Sequence, residues 1–470
     1  MKIFVLGAGD VGYGIANYLS NQGEEVIVVE KSPEIAAKIK KNPGINVVIG
    51  NATNPEILKE SKPENADYVI ATMPNDEQNI IACKLMGSLF EVQTKIARLR
   101  SQTFLQNNDA SLQFFRENFS VDVIVQPELK IANAVCDIAE INGAFEVVNL
   151  KNSLIIGLKC PPEAEVLNTP FRHFRGIVDF DASVLTITRN GNTSFPQMDD
   201  VLLENDEIYL AVSRKHKNKV LKLFGYEQKN YQNILIVGSN SIGMLLLKTM
   251  GEKKSEITLT LLEESVKSAE EIAQNFPAVT VSCENYLNYE FLREISREID
   301  VAIVSTNREK TNVLSSLFLK KFGVKKVLTL AKNHRYDLLL PVSDGCTVIN
   351  PSAITIETIL RSIRKKNIAS VTALKNNANW VVVETPVTEL CARLGKGVMS
   401  IAAKDKILPI FISRNNSPEA EKTGSSLILA EKNPNMIMGD VVTLLVEKNA
   451  IWGVEKIFSS YQFLKDKILS

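Results

Sequence analysis

Residues Met1–Lys31 read MKIFVLGAGDVGYGIANYLSNQGEEVIVVEK. Lys2–Leu6 is a short apolar run of strand type, Val11, Ile15, Ala16 and Leu19 fall on one helical face, and Glu25–Val29 reads as a strand again. Between the first strand and the helix lies Gly7-Ala8-Gly9-Asp10-Val11-Gly12, a G-x-G-x-x-G turn, and Asn21-Gln22-Gly23 supplies the helix stop. Gly7 allows a tight turn, Gly9 lets a pyrophosphate approach the backbone, and Gly12 lets the helix lie against the strand. Unpaired N–H groups at the helix start attract phosphate. Glu30 follows Gly12 by 18 positions, which suits an acid that holds the adenine ribose hydroxyls. Such a charge-assisted bond contributes about 1.5–3 kcal/mol. It also repels a 2′-phosphate, which favours NAD(H) over NADP(H), although Lys31 next door softens that preference. Two readings stay open at this point: a dinucleotide or adenine nucleotide site, and a Rossmann-like domain that keeps the turn for packing.

Composition narrows the class. Lys+Arg and Asp+Glu both number 54 in 470 residues, so no overall field draws nucleic acid or anionic lipid. The densest basic run, Ser362-Ile363-Arg364-Lys365-Lys366, reads as a solvated helix end. Cys83, Cys136, Cys160, Cys283, Cys346 and Cys391 form no C-x-x-C pair, and there are 3 histidines; neither a zinc site nor a disulfide framework is expected. The chain opens on a strand and has no apolar run of the ~18 residues a membrane helix needs. A cytoplasmic protein without signal peptide is expected, with any membrane role exerted through a partner.

Further along, strands are expected at Asn46–Ile49, Asp67–Ala71, Thr94–Leu99 and Val121–Val125, alternating with helices. That alternation predicts a doubly wound parallel sheet, with ligand contacts at the carboxyl ends of its strands. Gly7–Gly12, Glu30, Ala52-Thr53, Met73-Pro74 and Arg98 all fall there. Leu129–Ile141 is then a helix that follows a finished sheet, read either as a crossover onto a neighbouring domain or as an ordinary capping helix. From Gly143 short strands separated by Pro, Gly and Asn take over, with Asn190-Gly191 as a hairpin turn.

The opening theme then returns. Asn233–Val237 is a strand, Gly238-Ser239-Asn240-Ser241-Ile242-Gly243 its turn, Gly251 the expected helix end, and Glu263 the acid closing the next strand. Gly7 to Gly238 and Gly12 to Gly243 both span 231 positions; Glu30 to Glu263 and Asn79 to Asn312 span 233. Ile354–Arg364 repeats the crossover-like helix, and a second β-rich stretch follows from about Ser370. The plan is A-B-A′-B′: an α/β chain of two Rossmann-like doubly wound domains, 1–142 and 231–367, each followed by a small α+β domain, 143–226 and 368–458. The second copy has diverged. Asn240 replaces the middle glycine, and Cys283-Glu284-Asn285-Tyr286 is read as replacing Gly50-Asn51-Ala52-Thr53. A dinucleotide, a nucleotide with exposed phosphates, or no ligand all fit the second turn.

A dehydrogenase would need an acid or base beside the nicotinamide. His173, His216 and His334 sit in no catalytic pattern, and G-x-S-x-G, H-E-x-x-H and G-x-x-x-x-G-K-[ST] are absent. A nucleotide site without catalytic apparatus points to a sensor.

Val5–Gly12, Gly50–Thr53, Asp76-Glu77-Gln78-Asn79 and Ala97–Ser101, in the A-B-A′-B′ order, resemble the TrkA family. These are the NAD-binding peripheral subunits of bacterial Trk potassium uptake systems, with tandem RCK (KTN) domains each followed by a TrkA-C domain. The resemblance implies pairing through crossover helices and a homo-oligomeric ring, a dimer or tetramer, on the cytoplasmic face of the inner membrane. It also implies a Trk-type membrane subunit as partner, with NAD(H), and ATP or ADP beside it, changing the ring to gate potassium flow without turnover. Nucleotide contacts are implied at Gly7, Ala8, Gly9, Asp10, Val11, Glu30, Met73, Pro74 and Arg98, and in the second half at Gly238, Ser239, Asn240, Ser241, Ile242 and Glu263. Met73-Pro74 departs from the family's usual Thr-Asn. The competing expectations are an NAD-dependent oxidoreductase with duplicated domains and a nucleotide-binding assembly protein.

Overall fold

In the computed structural model the described residues are 1–100, 109–150, 153–177, 182–226, 231–253, 257–333, 335–336, 340, 345–363, 370–374, 377–402, 406–414 and 426–458. His334 and the basic residues Arg364-Lys365-Lys366 lie outside them.

The opening stretch folds as β1 (Lys2–Leu6), α1 (Asp10–Asn21) and β2 (Glu25–Glu30), and Gly23 takes the left-handed backbone that ends α1. It continues through α2 (Pro33–Ile39), β3 (Ile45–Ile49), α3 (Pro55–Glu60), β4 (Tyr68–Ala71), α4 (Asp76–Phe90), β5 (Thr94–Arg98), α5 (Asp109–Phe119), β6 (Val123–Val125) and α6 (Pro127–Glu140). The six strands are parallel in the order β3-β2-β1-β4-β5-β6. The order reverses beside β1, and this switch point opens a crevice at the strand ends. Central strands are buried on both faces: Ile3, Phe4, Val5 and Leu6 are all fully buried.

The first small region contains β7 (Ala144–Asn149), β8 (Ser153–Lys159), α7 (Phe171–Ile177), β9 (Ala182–Arg189), β10 (Asn192–Ser194), β11 (Glu207–Ser213) and α8 (Lys217–Leu223). Its sheet is antiparallel, and Asn190 and Gly191 both take the positive φ that a two-residue hairpin demands.

The second parallel sheet repeats the first: β12 (Asn233–Val237), α9 (Ser241–Lys253), β13 (Thr258–Glu263), α10 (Val266–Asn275), β14 (Val279–Cys283), α11 (Tyr289–Ile295), β15 (Val301–Val304), α12 (Glu309–Lys321), β16 (Lys326–Leu330), β17 (Cys346–Ile349) and α13 (Pro351–Ile363), in the strand order β14-β13-β12-β15-β16-β17. Helix α9 runs through Gly251 to Lys253, so that glycine is not the expected helix end. The last small region holds β18 (Ser370–Leu374), β19 (Asn377–Pro386), β20 (Ile407–Arg414), β21 (Ser426–Leu429), β22 (Val441–Glu447) and α14 (Ile451–Phe458).

Chain order and packing order differ. One compact unit joins Met1–Cys136 with Tyr231–Ile363; the other joins Asp137–Asn230 with Arg364–Ser470. In the first unit, α13 leaves its own sheet and lies on the first copy. Ile359, Leu360 and Ile363 share a core with Ile3, Ile15 and Val26. A side chain at Gly14 of α1 would come within 2.3 Å of Ile356. The crossover read for Ile354–Arg364 is therefore present in α13. In the second unit the two antiparallel sheets share a core that includes Ile155, Tyr209 and Ala211 from one and Val382, Phe411 and Leu445 from the other. Each carries the same clamp. Arg189 grips the buried Asp206 through Nε and Nη2, both at 2.7 Å, and Arg414 grips the buried Asp440 through Nε and Nη2, both at 2.9 Å.

Candidate functional site

A cavity of about 600 Å³ lies at the strand ends of the first sheet. Its floor is the turn Gly7–Val11. Gly9 precedes α1 with no side-chain cap, and a Cβ placed on Gly9 would meet nothing within 4 Å. The helix start thus presents bare backbone N–H groups to open space, the arrangement that receives phosphate. Gly7 has φ +90° and sits against Met73, and a Cβ on Gly12 would fall 1.9 Å from the Gly7 carbonyl oxygen. Gly12 therefore packs the helix onto the strand and does not line the cavity wall.

Glu30 is 6% exposed at the end of β2. Its Oε2 accepts from Ala8 N at 2.7 Å and its Oε1 from Ser32 N at 2.8 Å. Each carboxylate oxygen keeps a further lone pair for a ribose hydroxyl. Ala52 lines the cavity beside it, while Thr53 turns away and hydrogen-bonds to Asn51 Oδ1 at 2.9 Å. Asn79 fixes the opposite side: its Oδ1 accepts from Met73 N at 2.8 Å and its Nδ2 donates to the carbonyls of Met73 and Arg98 at 3.1 and 2.8 Å. It ties the ends of β4 and β5 together and so places Met73, Pro74 and Arg98 on the wall. Arg98 donates through Nη2 to Glu128 Oε1 at 3.1 Å, and both side chains line the cavity. Arg98 Nε and Glu128 Oε2 are buried without a hydrogen-bond partner, an arrangement that a ligand's polar groups would complete. Burial pulls the Arg98 guanidinium below its usual range, and the Glu128 charge opposes that shift.

The far wall comes from the second copy and includes Asn240, Ser241, Ile242, Thr306, Asn307 and Lys332, with Ser352 and Thr355 of α13. There the equivalent turn is closed. Asn240 Oδ1 accepts from Ile242 N at 3.1 Å and Gly243 N at 3.0 Å, so the side chain caps its own helix. Glu263 is 6% exposed and repeats Glu30, accepting from Ser239 N at 3.1 Å and Ser265 N at 2.9 Å; it also accepts from the Tyr286 hydroxyl at 2.8 Å. Gly238 and Ser239 thus form the strand turn behind this carboxylate. The register differs from the sequence reading. Gly50 N bonds to the Glu30 carbonyl and Glu284 N to the Glu263 carbonyl, so Ala52 corresponds to Tyr286 and not to Asn285. One residue of drift at the β14 end was invisible in a repeat aligned on its glycines and acids.

The TrkA-N domain family matches residues 3–127 and again 234–351, together more than half of the 470 residues. The chain belongs to the TrkA-N family. This TrkA-N chain is 27% identical over 405 residues to the Trk system potassium uptake protein TrkA of Azorhizobium caulinodans, covering 85% of this chain and 88% of that one. It is 26% identical over 471 residues to the Trk system potassium uptake protein TrkA of Vibrio alginolyticus, covering 98% and 100%. Among solved structures, the GsuK RCK domain superposes with a TM-score of 0.58 at 16% identity over 97% of this chain and 94% of that one. The GsuK channel bound to NAD superposes with a TM-score of 0.57 at 16% identity over 97% and 78%. At that identity the likeness is one of fold.

Within the TrkA-N frame, Glu128, Ile131, Gln78 and Arg100 also line the cavity and were missed by the sequence reading. Glu128 follows Pro127 at the start of α6, just past the end of β6, where a strand-end ligand contact could have been sought. His173 is exposed, and His216 accompanies Ser213 Oγ at 2.9 Å; neither lines the cavity. Among the described residues no group of three or more His, Cys, Asp or Glu could hold a metal, and no helix is long and apolar enough to cross a membrane.

Proposed function

We propose that the chain is a nucleotide-sensing regulatory subunit of a potassium uptake system. NAD(H), with ATP or ADP as competing adenine nucleotides, binds the first-copy cavity. The bound state alters a homo-oligomeric RCK ring that gates a Trk-type membrane subunit, and the chain sits on the cytoplasmic face through that partner. One observation carries this reading: a single cavity pairs an uncapped helix start and a buried ribose-type acid on one side with a wall from the second copy on the other. A ligand that touches both copies binds their arrangements unequally, and only such a difference moves an equilibrium. A tenfold preference for one arrangement is worth about 1.4 kcal/mol. The potassium-uptake names of the relatives and the NAD in the GsuK channel support the partner and the ligand class.

Calorimetry with NADH, NAD, ATP and ADP on the wild type and Gly9→Val tests the site. A Cβ at position 9 has no heavy atom within 4 Å, so the variant is expected to fold and lose binding. Unchanged binding removes this cavity from the reading. Co-purification with a Trk-type membrane subunit tests the partner. NADH oxidation over a panel of carbonyl substrates would restore the oxidoreductase alternative.

A further inference from the structure

We propose that the second nucleotide groove is filled from within the chain, Asn240 standing where a phosphate would lie and Tyr286 where adenosine would lie, so that each chain holds one nucleotide and not two. This rests on the proposed function only in taking the first groove as the nucleotide site. The two copies share the turn and the acid that shape that groove. Gly7 and Gly238 both take positive φ, at +90° and +98°, and Gly12 and Gly243 both press their helix onto the preceding turn. Glu30 and Glu263 accept the same pair of backbone N–H groups. What differs is what the side chains do with the groove.

At the phosphate end, Asn240 Oδ1 takes the N–H groups of Ile242 and Gly243, while its Nδ2 is held by the Ser305 carbonyl and by Asn307 Oδ1. A carboxamide held from both ends does not swing aside for a phosphate as a free rotamer would. At the adenosine end, the position of Ala52 is taken by Tyr286, 6% exposed, whose hydroxyl occupies Glu263 Oε2. Of the two lone pairs that Glu30 keeps for ribose hydroxyls, the one on Oε2 is therefore spent in Glu263. Arg308 covers the ring, its guanidinium 5.5 Å from the Tyr286 centroid, and pairs with Glu264, whose other oxygen accepts from Tyr286 N at 3.0 Å. The cavity reflects this asymmetry. It reaches Glu30, Asn51 and Ala52 in the first copy, whereas in the second its lining includes Asn240 and Asn307 but neither Glu263 nor Tyr286. Burial and the Glu263 bond both hold the Tyr286 phenol protonated well above the usual tyrosine range, so the plug stays in place across physiological pH.

The test is equilibrium dialysis of the full chain with radiolabelled NADH and, separately, ATP. The wild type is expected to bind one nucleotide per chain and Gly9→Val none. The opened variant Asn240→Gly with Tyr286→Ala is expected to bind two, and the same pair on Gly9→Val one. A second wild-type site that survives Gly9→Val overturns the proposal, and this comparison needs no opened variant to fold. An opened variant with an unchanged circular dichroism spectrum and no added site also overturns it. A wild type that binds nothing defeats the proposed function, while a site gained on opening would still uphold the plug.

Discussion

At the scale of single residues, the contrast between Ala52 and Tyr286 is the sharpest lever in the molecule. Ala52→Tyr copies the second groove into the first. Its ring enters the cavity beside Glu30, so dialysis should show loss of nucleotide with the fold retained by circular dichroism. Glu263 offers a pH test. Burial raises its carboxyl, but hydrogen bonds from Ser239, Ser265 and Tyr286 together outweigh that and leave it below the ordinary 4.5. A depressed native pKa means stability that is present above the unfolded value and lost as pH falls through the native one. Acid unfolding followed by fluorescence should therefore steepen below about pH 4.5 in the wild type, and Glu263→Gln should flatten that part of the curve. The glycines and acids were legible in sequence because their tasks are local. Tyr286 was not, because its role depends on which residue of the β14 end faces β13.

At the scale of elements, α13 joins the two Rossmann copies. It belongs to the second by sequence and to the core of the first by packing. Its apolar spacing announced an amphipathic helix that needed a surface; it did not say which surface. Ile359 is fully buried there, so Ile359→Ala should cost about 2–5 kcal/mol in urea unfolding. Gly14→Val pushes into Ile356 from the facing helix. Overpacking of this kind costs about 1–3 kcal/mol, and because it strains the junction between the copies it should also weaken nucleotide affinity in the same calorimetry. The clamps in the other unit make a paired prediction. Arg189→Ala and Arg414→Ala each leave a carboxylate that is 1% exposed without its counter-ion, held by one backbone N–H, from Leu203 or Ile437. Each should lower stability by about 1.5–3 kcal/mol, and the two losses should be alike because the bonds are alike. The repeated Arg and Asp were in the sequence, but nothing there paired them across a sheet.

At the scale of the whole molecule, a chain written A-B-A′-B′ packs as two like-with-like units, Met1–Cys136 with Tyr231–Ile363 and Asp137–Asn230 with Arg364–Ser470. A ligand that binds the folded first unit must stabilise it by mass action. At 100 times its dissociation constant the gain is about 2.7 kcal/mol, so NADH should raise the melting temperature of the wild type and leave that of Gly9→Val unmoved. The sequence alone determined the two parallel sheets, their Gly-rich turns and the terminal acids, because each is set by periodicity and backbone freedom within some thirty residues. It also determined that the unit is duplicated, since a repeat is a property of the string. Only the tertiary structure decided that α13 serves the other copy, that one cavity takes walls from both, and that the second groove is full. The first two outcomes rest on contacts between residues hundreds of positions apart, and the third on side-chain contacts between neighbouring strand ends; packing of either kind leaves no period in the chain to read.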